Sequence, residues 1–401
     1  MQNQVQRKNR LCKSGIYGIN FVEQSEYEER KMSKFKVGIM GAGKIAETMA
    51  TTLKGMKGIS FYAIASRTEE KAQAFAKQHG AKKAYGSYEA MLKDPKVDLV
   101  YIATPHSEHY ANAKLCIEYK KPILCEKAFT ANAKQAKEIL ALAKQEKVFI
   151  TEAIWTRYMP MVDMIKEVLD KGVIGEPKVL TANLSYSLGD IKRLQDPELA
   201  GGSLLDLGVY PINFASIFFG TDIKSVSSTC TYTDTGVDEQ ETITIIYQDG
   251  RIANLTASQC CIGDRKGIIQ GNKGYMVIEN INNYESFTVY DEKHKKVLSK
   301  KAPKQITGYE YEVEACRRAL AAGELSCYEM PHEETIRVME FMDDLRKEWG
   351  VIYPFEQDSI SEEAEIKIPE EKTEECDVKA CDKAVDEVND SSLDFWKSRI
   401  Q

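Results

Sequence analysis

Over residues 34–152, short and fully apolar runs alternate with amphipathic stretches. Lys36–Met40, Ile59–Ala65, Leu99–Ala103, Pro122–Cys125 and Val148–Thr151 read as strands, and a shorter one ends at Tyr85. Runs of this length without polar alternation suit strands buried on both faces. The stretches between them carry helix signals. A helical pattern starts at Ile45. Thr68 can cap a helix running through Gln78, with Glu69 and Glu70 in its first turn, and Ser87 can cap a small helix to Leu92. Further helices are expected over about His109–Glu118 and Asn132–Gln145. Helices alternating with apolar strands predict a mostly parallel, doubly wound α/β sheet covered on both sides.

Beyond Glu152 the pattern changes. After a helix over Met161–Lys171, strand-like runs follow closely: Lys178–Ser187, Ile223–Thr231, Glu241–Tyr247, Ile252–Ser258 and Tyr275–Glu279. Alternation is visible in ETITIIY and RIANLTAS. One helix, Ser203–Phe218, interrupts them after Gly201-Gly202, and two more, Tyr309–Ala322 and His332–Trp349, close the fold. This predicts an α+β domain over 153–355 with a large, mostly antiparallel sheet. One face should pack on helices; the other, if apolar, needs a partner subunit.

The ends differ from both regions. Residues 1–33 are polar, without the apolar core of a secretory signal, and are expected to be a disordered or spurious extension. Residues 356–401 are acidic and poor in apolar side chains, so they are expected to be largely disordered, with a short helix over 392–400. The net charge of −7 argues against nucleic acid or an anionic membrane as partner, and no apolar run is judged to approach a membrane span. The ten cysteines include no C-x-x-C pair, which points to free thiols in a reducing, cytoplasmic setting. The five histidines form no metal-ligand pattern, so no metal is expected.

Chemistry enters at FKVGIMGAGKIA. Gly41, Gly43 and Ala46 stand at G-x-G-x-x-A spacing between a strand and a helix, with Ala42, Lys44 and Ile45 filling the turn. Gly41 supplies backbone freedom, Gly43 lets a pyrophosphate approach, and Ala46 allows close helix–strand packing. The helix start presents free N–H groups and a positive dipole end to phosphates. Together with the alternating pattern this reads as a dinucleotide-binding Rossmann domain. At the end of the second strand, an NAD site would place a carboxylate for the ribose. Here stand Ser66 and Arg67, suited to a 2′-phosphate, so NADP is favoured. The alternative leaves Arg67 as a surface charge, with Glu69 or Glu70 reaching the ribose.

Loops at the carboxyl ends of strands line the ligand crevice in such sheets. Thr104, Pro105, His106 and His109 follow the fourth strand and are expected along the nicotinamide half of the cofactor. Glu126 and Lys127 follow the fifth, where a lysine can act as acid or base toward a hydroxyl, oriented by Glu126. Each of these also has a plainer reading, as a solvated loop residue or an exposed ion pair. Asp206 and Tyr210, four apart on one predicted helix face, form a polar pair at its edge. A tyrosine near Lys127 would have a stabilised phenolate and could itself carry the proton. The plainer readings are a capping aspartate and a core tyrosine.

GAGKIA, ATPHSEHY, CEKA, EAIWTRY and GGSLLDLGVYP, in this order, resemble the Gfo/Idh/MocA oxidoreductase family over about residues 35–355. EAIWTRY with Tyr210 is similar to one branch, the dimeric trans-dihydrodiol dehydrogenases and NADP-dependent D-xylose 1-dehydrogenases. The resemblance implies catalytic roles for Lys127 and Tyr210, with His109 by the cofactor. It places Trp155, Arg157 and Tyr158 at the substrate or nicotinamide pocket, together with Arg193 from IKRLQDP. It also implies a homodimer through the open sheet face. Ala128 departs from the family's usual proline after the lysine. The expectation is hydride transfer between NADP and a sugar or cyclic polyol, with Asp206 and Arg157 positioning hydroxyls. Aromatic trans-diols as substrates, or a cofactor-binding sensor without turnover, are the alternatives, and a cofactor-assisted glycosidase is a remoter one.

Overall fold

The computed structural model describes residues 34–356; the N-terminal extension and the acidic tail, including the short helix expected over 392–400, lie outside the described residues. The first half builds β1 (Phe35–Met40), α1 (Lys44–Gly55), β2 (Ile59–Ala65), α2 (Glu69–His79), β3 (Lys83–Tyr85) and α3 (Tyr88–Leu92). It continues with β4 (Leu99–Ile102), α4 (His106–Glu118), β5 (Ile123–Glu126), α5 (Ala133–Glu146) and β6 (Ile150–Ala153). The strands form one six-stranded sheet in the order β3-β2-β1-β4-β5-β6, with every pair parallel. Strands β2, β4, β5 and β6 are buried at every position. The order reverses between β1 and β4, which opens a crevice at their carboxyl ends.

The two predicted caps, Thr68 and Ser87, form, and Asn132, expected as the first helical residue, caps its helix as well. Thr68 accepts from Lys71 N at 3.4 Å, Ser87 from Ala90 N at 3.2 Å, and Asn132 from Gln135 N at 3.0 Å. Helix α4 begins at His106, three residues before the expected His109, because Pro105 takes an extended conformation and serves as its cap residue. That shift places both histidines in the first turn.

The second half contains α6 (Pro160–Asp170), β7 (Pro177–Ser185), α7 (Val209–Phe219), β8 (Ile223–Tyr232), β9 (Asp238–Tyr247) and β10 (Ile252–Ser258). Then come β11 (Gly267–Gly271), β12 (Gly274–Glu279), β13 (Ser286–Asp291), β14 (Lys296–Lys301), α8 (Glu310–Ala321) and α9 (His332–Trp349). The sheet runs β14-β13-β12-β11-β7-β10-β9-β8, antiparallel throughout except for β7 beside β10. One face, with Leu180, Ile243, Leu255, Ile269, Met276 and Phe287, is buried. Strands β11, β13 and β14 escaped the sequence reading. β11 is flanked by glycines, and β14 is a lysine-rich edge strand whose charges keep it from pairing further.

The helix expected over Ser203–Phe218 is two pieces. Leu204–Gly208 is a wide turn with i→i+5 hydrogen bonding, which runs into α7. The stretch Pro197–Phe219 is long and apolar enough to cross a membrane by length and composition, contrary to the sequence reading. Most of it is buried within the protein, as a core helix would be. The C-terminal helices return to the first sheet: Asp343 of α9 accepts Ala133 N at the start of α5 (2.7 Å), and His332 meets Ile150 O at 2.9 Å.

Candidate active site

A cavity of about 400 Å³ runs from the glycine turn to the wide turn before α7. At its first end, Gly41 has φ +102°, and a Cβ there would stand 2.6 Å from Ala103 O. Strand β4 therefore presses on the turn too closely for any side chain. Gly43, the residue before α1, caps it without a side-chain hydrogen bond, and a Cβ there would meet nothing within 4 Å. The space over Gly43 and the N–H groups of Lys44, Ile45 and Ala46 form an open cradle of the kind a pyrophosphate fills. Ala42 and Ile45 pack against the core beneath it, while Lys44 is exposed. At the end of β2, Ser66 is buried and Arg67 exposed. Glu69 accepts from Gln73 Nε2 at 2.9 Å along α2. The residues present thus fit a dinucleotide whose ribose meets a hydroxyl and a guanidinium.

At the other end, Lys127 after β5, Asp206 of the wide turn, His106 of α4 and Arg193 of the turn Lys192–Gln195 come together. Lys127 Nζ donates to Asp206 O at 2.7 Å and to Asp206 Oδ1 at 3.1 Å. Arg193 Nη2 donates to the same carboxylate at 3.1 and 3.3 Å. His106 Nε2 lies 3.8 Å from Asp206 Oδ1. Burial works to raise the Asp206 pKa, but the charges of Lys127 and Arg193 outweigh it and hold the carboxyl well below the usual range. Burial, with Arg193 and Lys127, pushes His106 down to about 3, so its ring is neutral. Nδ1 lies 3.2 Å from Ala200 O, which assigns the ring proton there and leaves Nε2 an acceptor.

Tyr210 lies beside this group, with Lys127 Nζ 5.2 Å from its ring centroid and Trp155 Nε1 donating to its hydroxyl at 3.1 Å. Burial, then Tyr309 and Glu126, raise its pKa well above the ordinary value. The stabilised phenolate expected from a nearby lysine does not arise; Tyr210 is held as a phenol. Glu126 accepts from the Tyr101 hydroxyl and from Lys127 N (3.2 Å), and burial pushes it up to about 7. The Lys127–Ala128 peptide is cis.

Gly43, Lys44, Ile45, Thr104, Pro105 and His106 line this cavity, as do Glu126, Lys127, Arg193, Asp206 and Tyr210. Nine others named from sequence are not among its lining: Gly41, Ala42 and Ala46 of the glycine turn, Ser66 and Arg67 after β2, and His109, Trp155, Arg157 and Tyr158. His109 is fully buried behind it, its ring nitrogens each 2.9 Å from a carbonyl, those of Ala128 and Thr104. It braces the two loops from within, because the earlier start of α4 turns it inward. Arg157 binds Glu334 and Ser216 (Nη2–Oγ 3.2 Å) behind the wall, beside a separate cavity of about 280 Å³. Tyr158 donates to Glu152 O at 2.6 Å, deep in the core. Trp155 reaches the site only through Tyr210 and Tyr309, on whose ring it stacks at 4.1 Å.

Sequence reasoning missed three lining residues, Thr48, Ala103 and Tyr309. The sequence places Tyr309 as the first residue of a closing helix. The signal lay in TGYE: Glu310 gathers the N–H groups of Ile306, Thr307 and Gly308 (2.6, 3.1 and 2.7 Å), pinning the strap that delivers Tyr309 to the cavity. Among the described residues no group of three or more His, Cys, Asp or Glu side chains could hold a metal ion.

Comparison with known proteins agrees with this architecture. Residues 35–153 match the oxidoreductase family with an NAD-binding Rossmann fold, and residues 162–277 match the GFO/IDH/MocA C-terminal domain. A trans-1,2-dihydrobenzene-1,2-diol dehydrogenase of Mus musculus is 32% identical over 330 residues, covering 79% of this chain and 97% of that protein. A 3-ketoreductase from Actinomadura kijaniata, solved with NADP and TDP-benzene, shares the fold with a TM-score of 0.72 at 24% identity, over 79% of this chain and 98% of its own. An aldose-aldose oxidoreductase from Caulobacter crescentus, complexed with glycerol, does so at 0.69 and 18%, over 78% and 97%. With both sheets, the glycine turn and this similarity to a mammalian dehydrogenase along nearly its whole length, the chain belongs to the Gfo/Idh/MocA family of oxidoreductases.

Proposed function

We propose that this chain is an NADP-dependent dehydrogenase or reductase acting on a hydroxyl or carbonyl carbon of a sugar or cyclic polyol. One observation carries the reading: Lys127 Nζ, Asp206 and Tyr210 converge at one end of a cavity whose other end is the open glycine cradle. The cofactor supplies the hydride acceptor or donor. Gly41, Gly43 and the start of α1 hold its pyrophosphate, Ser66 and Arg67 its 2′-phosphate, and Thr104, Pro105 and Glu126 its nicotinamide half. In the reducing direction Lys127 Nζ gives a proton to the carbonyl oxygen, while the Tyr210 hydroxyl hydrogen-bonds the same oxygen; oxidation runs in reverse. Asp206 orients Lys127, and Arg193 helps to hold substrate hydroxyls. Replacing Lys127 with Met tests this. Turnover should fall by about 100-fold or more, the usual scale of a lost general acid, with NADPH affinity nearly kept. Undiminished turnover on any aldose or diol rejects the role.

A second reading has its own support. Tyr309 and Tyr210, both backed by Trp155, give the cavity an aromatic wall, suited to a flat, apolar ring. Trans-dihydrodiols of arenes are the substrates that wall favours, and the Mus musculus relative carries that activity in its name. Screening aldoses against cyclic diols with NADP separates the two.

The open face of the eight-stranded sheet carries Val179, Ile246, Ile252, Ile268 and Val277, none of them fully buried, and supports a homodimer across that face. The seven cysteines of the described residues are free thiols, which supports a reducing compartment, the cytoplasm.

A further inference from the structure

The wide turn Leu204–Gly208 rests on two acids of β9. Asp238 and Glu241 are 0% and 3% exposed. Asp238 Oδ2 accepts the Leu204 N–H at 2.5 Å, and the Ser203 N–H also lowers its pKa against the effect of burial. Glycines let the turn sit this close. A Cβ on Gly202, whose φ is +119°, would stand 2.4 Å from Asp238 Oδ1, and one on Gly208 would stand 2.5 Å from Glu241 Oε1. Burial and the neighbouring Asp238 raise the Glu241 pKa well above the ordinary carboxylate range, and burial raises that of Asp238.

The register of this turn has a chemical consequence. Val209 N–H bonds Leu204 O, five residues back. Carried forward two residues, the partner of Asp206 O would be the N–H of residue 211, which is Pro211 and has none. In that register the Asp206 carbonyl has no backbone donor, and Lys127 Nζ donates to it at 2.7 Å. In an ordinary i→i+4 register Tyr210 N–H would claim that carbonyl. Lys127 would lose an acceptor, and Tyr210 would rotate about its helix. Wide turns of this kind recur at functional sites.

We propose that Asp238 is a positioning residue: by holding Leu204 N–H it fixes the register in which Pro211 frees the Asp206 carbonyl for Lys127 and Tyr210 faces the cavity. This rests on the roles given above to Lys127 and Tyr210. The test is Asp238→Asn and, separately, Pro211→Ala, which restores the missing N–H in a helix-favouring residue. Each is measured in the full chain for kcat and KM across pH, NADPH affinity, melting temperature, and hydrogen exchange at the Leu204–Gly208 amides. Asp238→Asn should lower kcat about 10- to 100-fold, the scale of a misplaced catalytic group, and Pro211→Ala should lower it less. In both, the limbs of the kcat pH profile should move while NADPH affinity stays within about two-fold. A folded Asp238→Asn with wild-type kcat and pH profile overturns the proposal, even with a lower melting temperature. If that variant does not fold, the same result in Pro211→Ala overturns it. If the wild-type chain turns over no aldose or diol, the functional reading fails instead, and hydrogen exchange then decides the register: faster exchange over 204–208 in Asp238→Asn supports it, unchanged exchange overturns it.

Discussion

Three buried carboxylates show how place sets the behaviour of one kind of residue. Asp206 is buried, yet the charges of Lys127 and Arg193 hold its pKa below the ordinary value. Its contribution to stability is therefore present above the unfolded carboxylate pKa and lost as pH falls below it. Glu126 and Glu152 do the opposite. Burial raises each to about 7, so the folded chain keeps protons that the unfolded chain releases. Stability should fall as pH rises from about 4.5 to about 7 and level off above that. Glu152 lies in the core outside the cavity, so Glu152→Gln should flatten the melting temperature between about pH 5 and about pH 8 and raise it at the upper end. A parallel displacement of the whole profile would refute the assignment. Arg67 makes a different kind of prediction, because it is exposed and touches the fold little. Arg67→Asp should weaken NADPH binding by about 10-fold or more, the worth of a charge-assisted pair, leave melting temperature unchanged, and improve NADH. Equal titration curves for NADPH before and after the change would remove Arg67 from the cofactor site.

At the scale of elements, the first turn after β1 contains two glycines with separable tasks. Gly41 is needed by the fold, since β4 leaves no room for a Cβ and φ is positive. Gly43 has room on all sides and a φ of −101° that alanine tolerates. Gly41→Ala should therefore cost both melting temperature and cofactor affinity. Gly43→Ala should cost cofactor affinity alone, because its methyl stands where the phosphates approach. Calorimetry beside a binding titration distinguishes these outcomes. Helix α4 and the wide turn teach a related lesson. The periodicity of each was legible, but its phase was not. Pro105 started α4 one turn early and buried His109, while Asp238 of β9 holds the Leu204 N–H of the wide turn. In both cases the deciding contact comes from outside the predicted helix.

For the whole molecule, the cavity is closed by parts distant in sequence. The strap before α8 reaches the first sheet's helix, where Thr307 and Thr52 share a hydrogen bond of 2.6 Å and Ile306 packs on Gly55. It also sets Tyr309 against Trp155. The open face of the second sheet is the other feature of this scale. Ile246 is 37% exposed there, between Thr and Ile neighbours of β9 and β10. If two copies pair across this face, Ile246→Glu should yield a monomer in sedimentation while each chain keeps its fold, since like charges would then face each other across the axis. A wild-type chain that sediments as a monomer at all concentrations would reject that assembly.

The sequence by itself determined the strand-helix alternation, the glycine turn, the absence of a carboxylate at Ser66 and Arg67 after β2, and the order of Lys127, Asp206 and Tyr210 along the chain. These depend on local periodicity, on backbone freedom and on motifs a few residues long, which neighbouring residues carry without help. Tertiary structure alone decided that Arg157 and Tyr158 turn away from the cavity, that Tyr309 enters it, that Tyr210 stays a phenol, and that a carbonyl rather than a side chain alone meets Lys127. Each of those outcomes depends on burial and on which distant groups come within a few ångströms, and neither quantity exists until the chain has closed on itself.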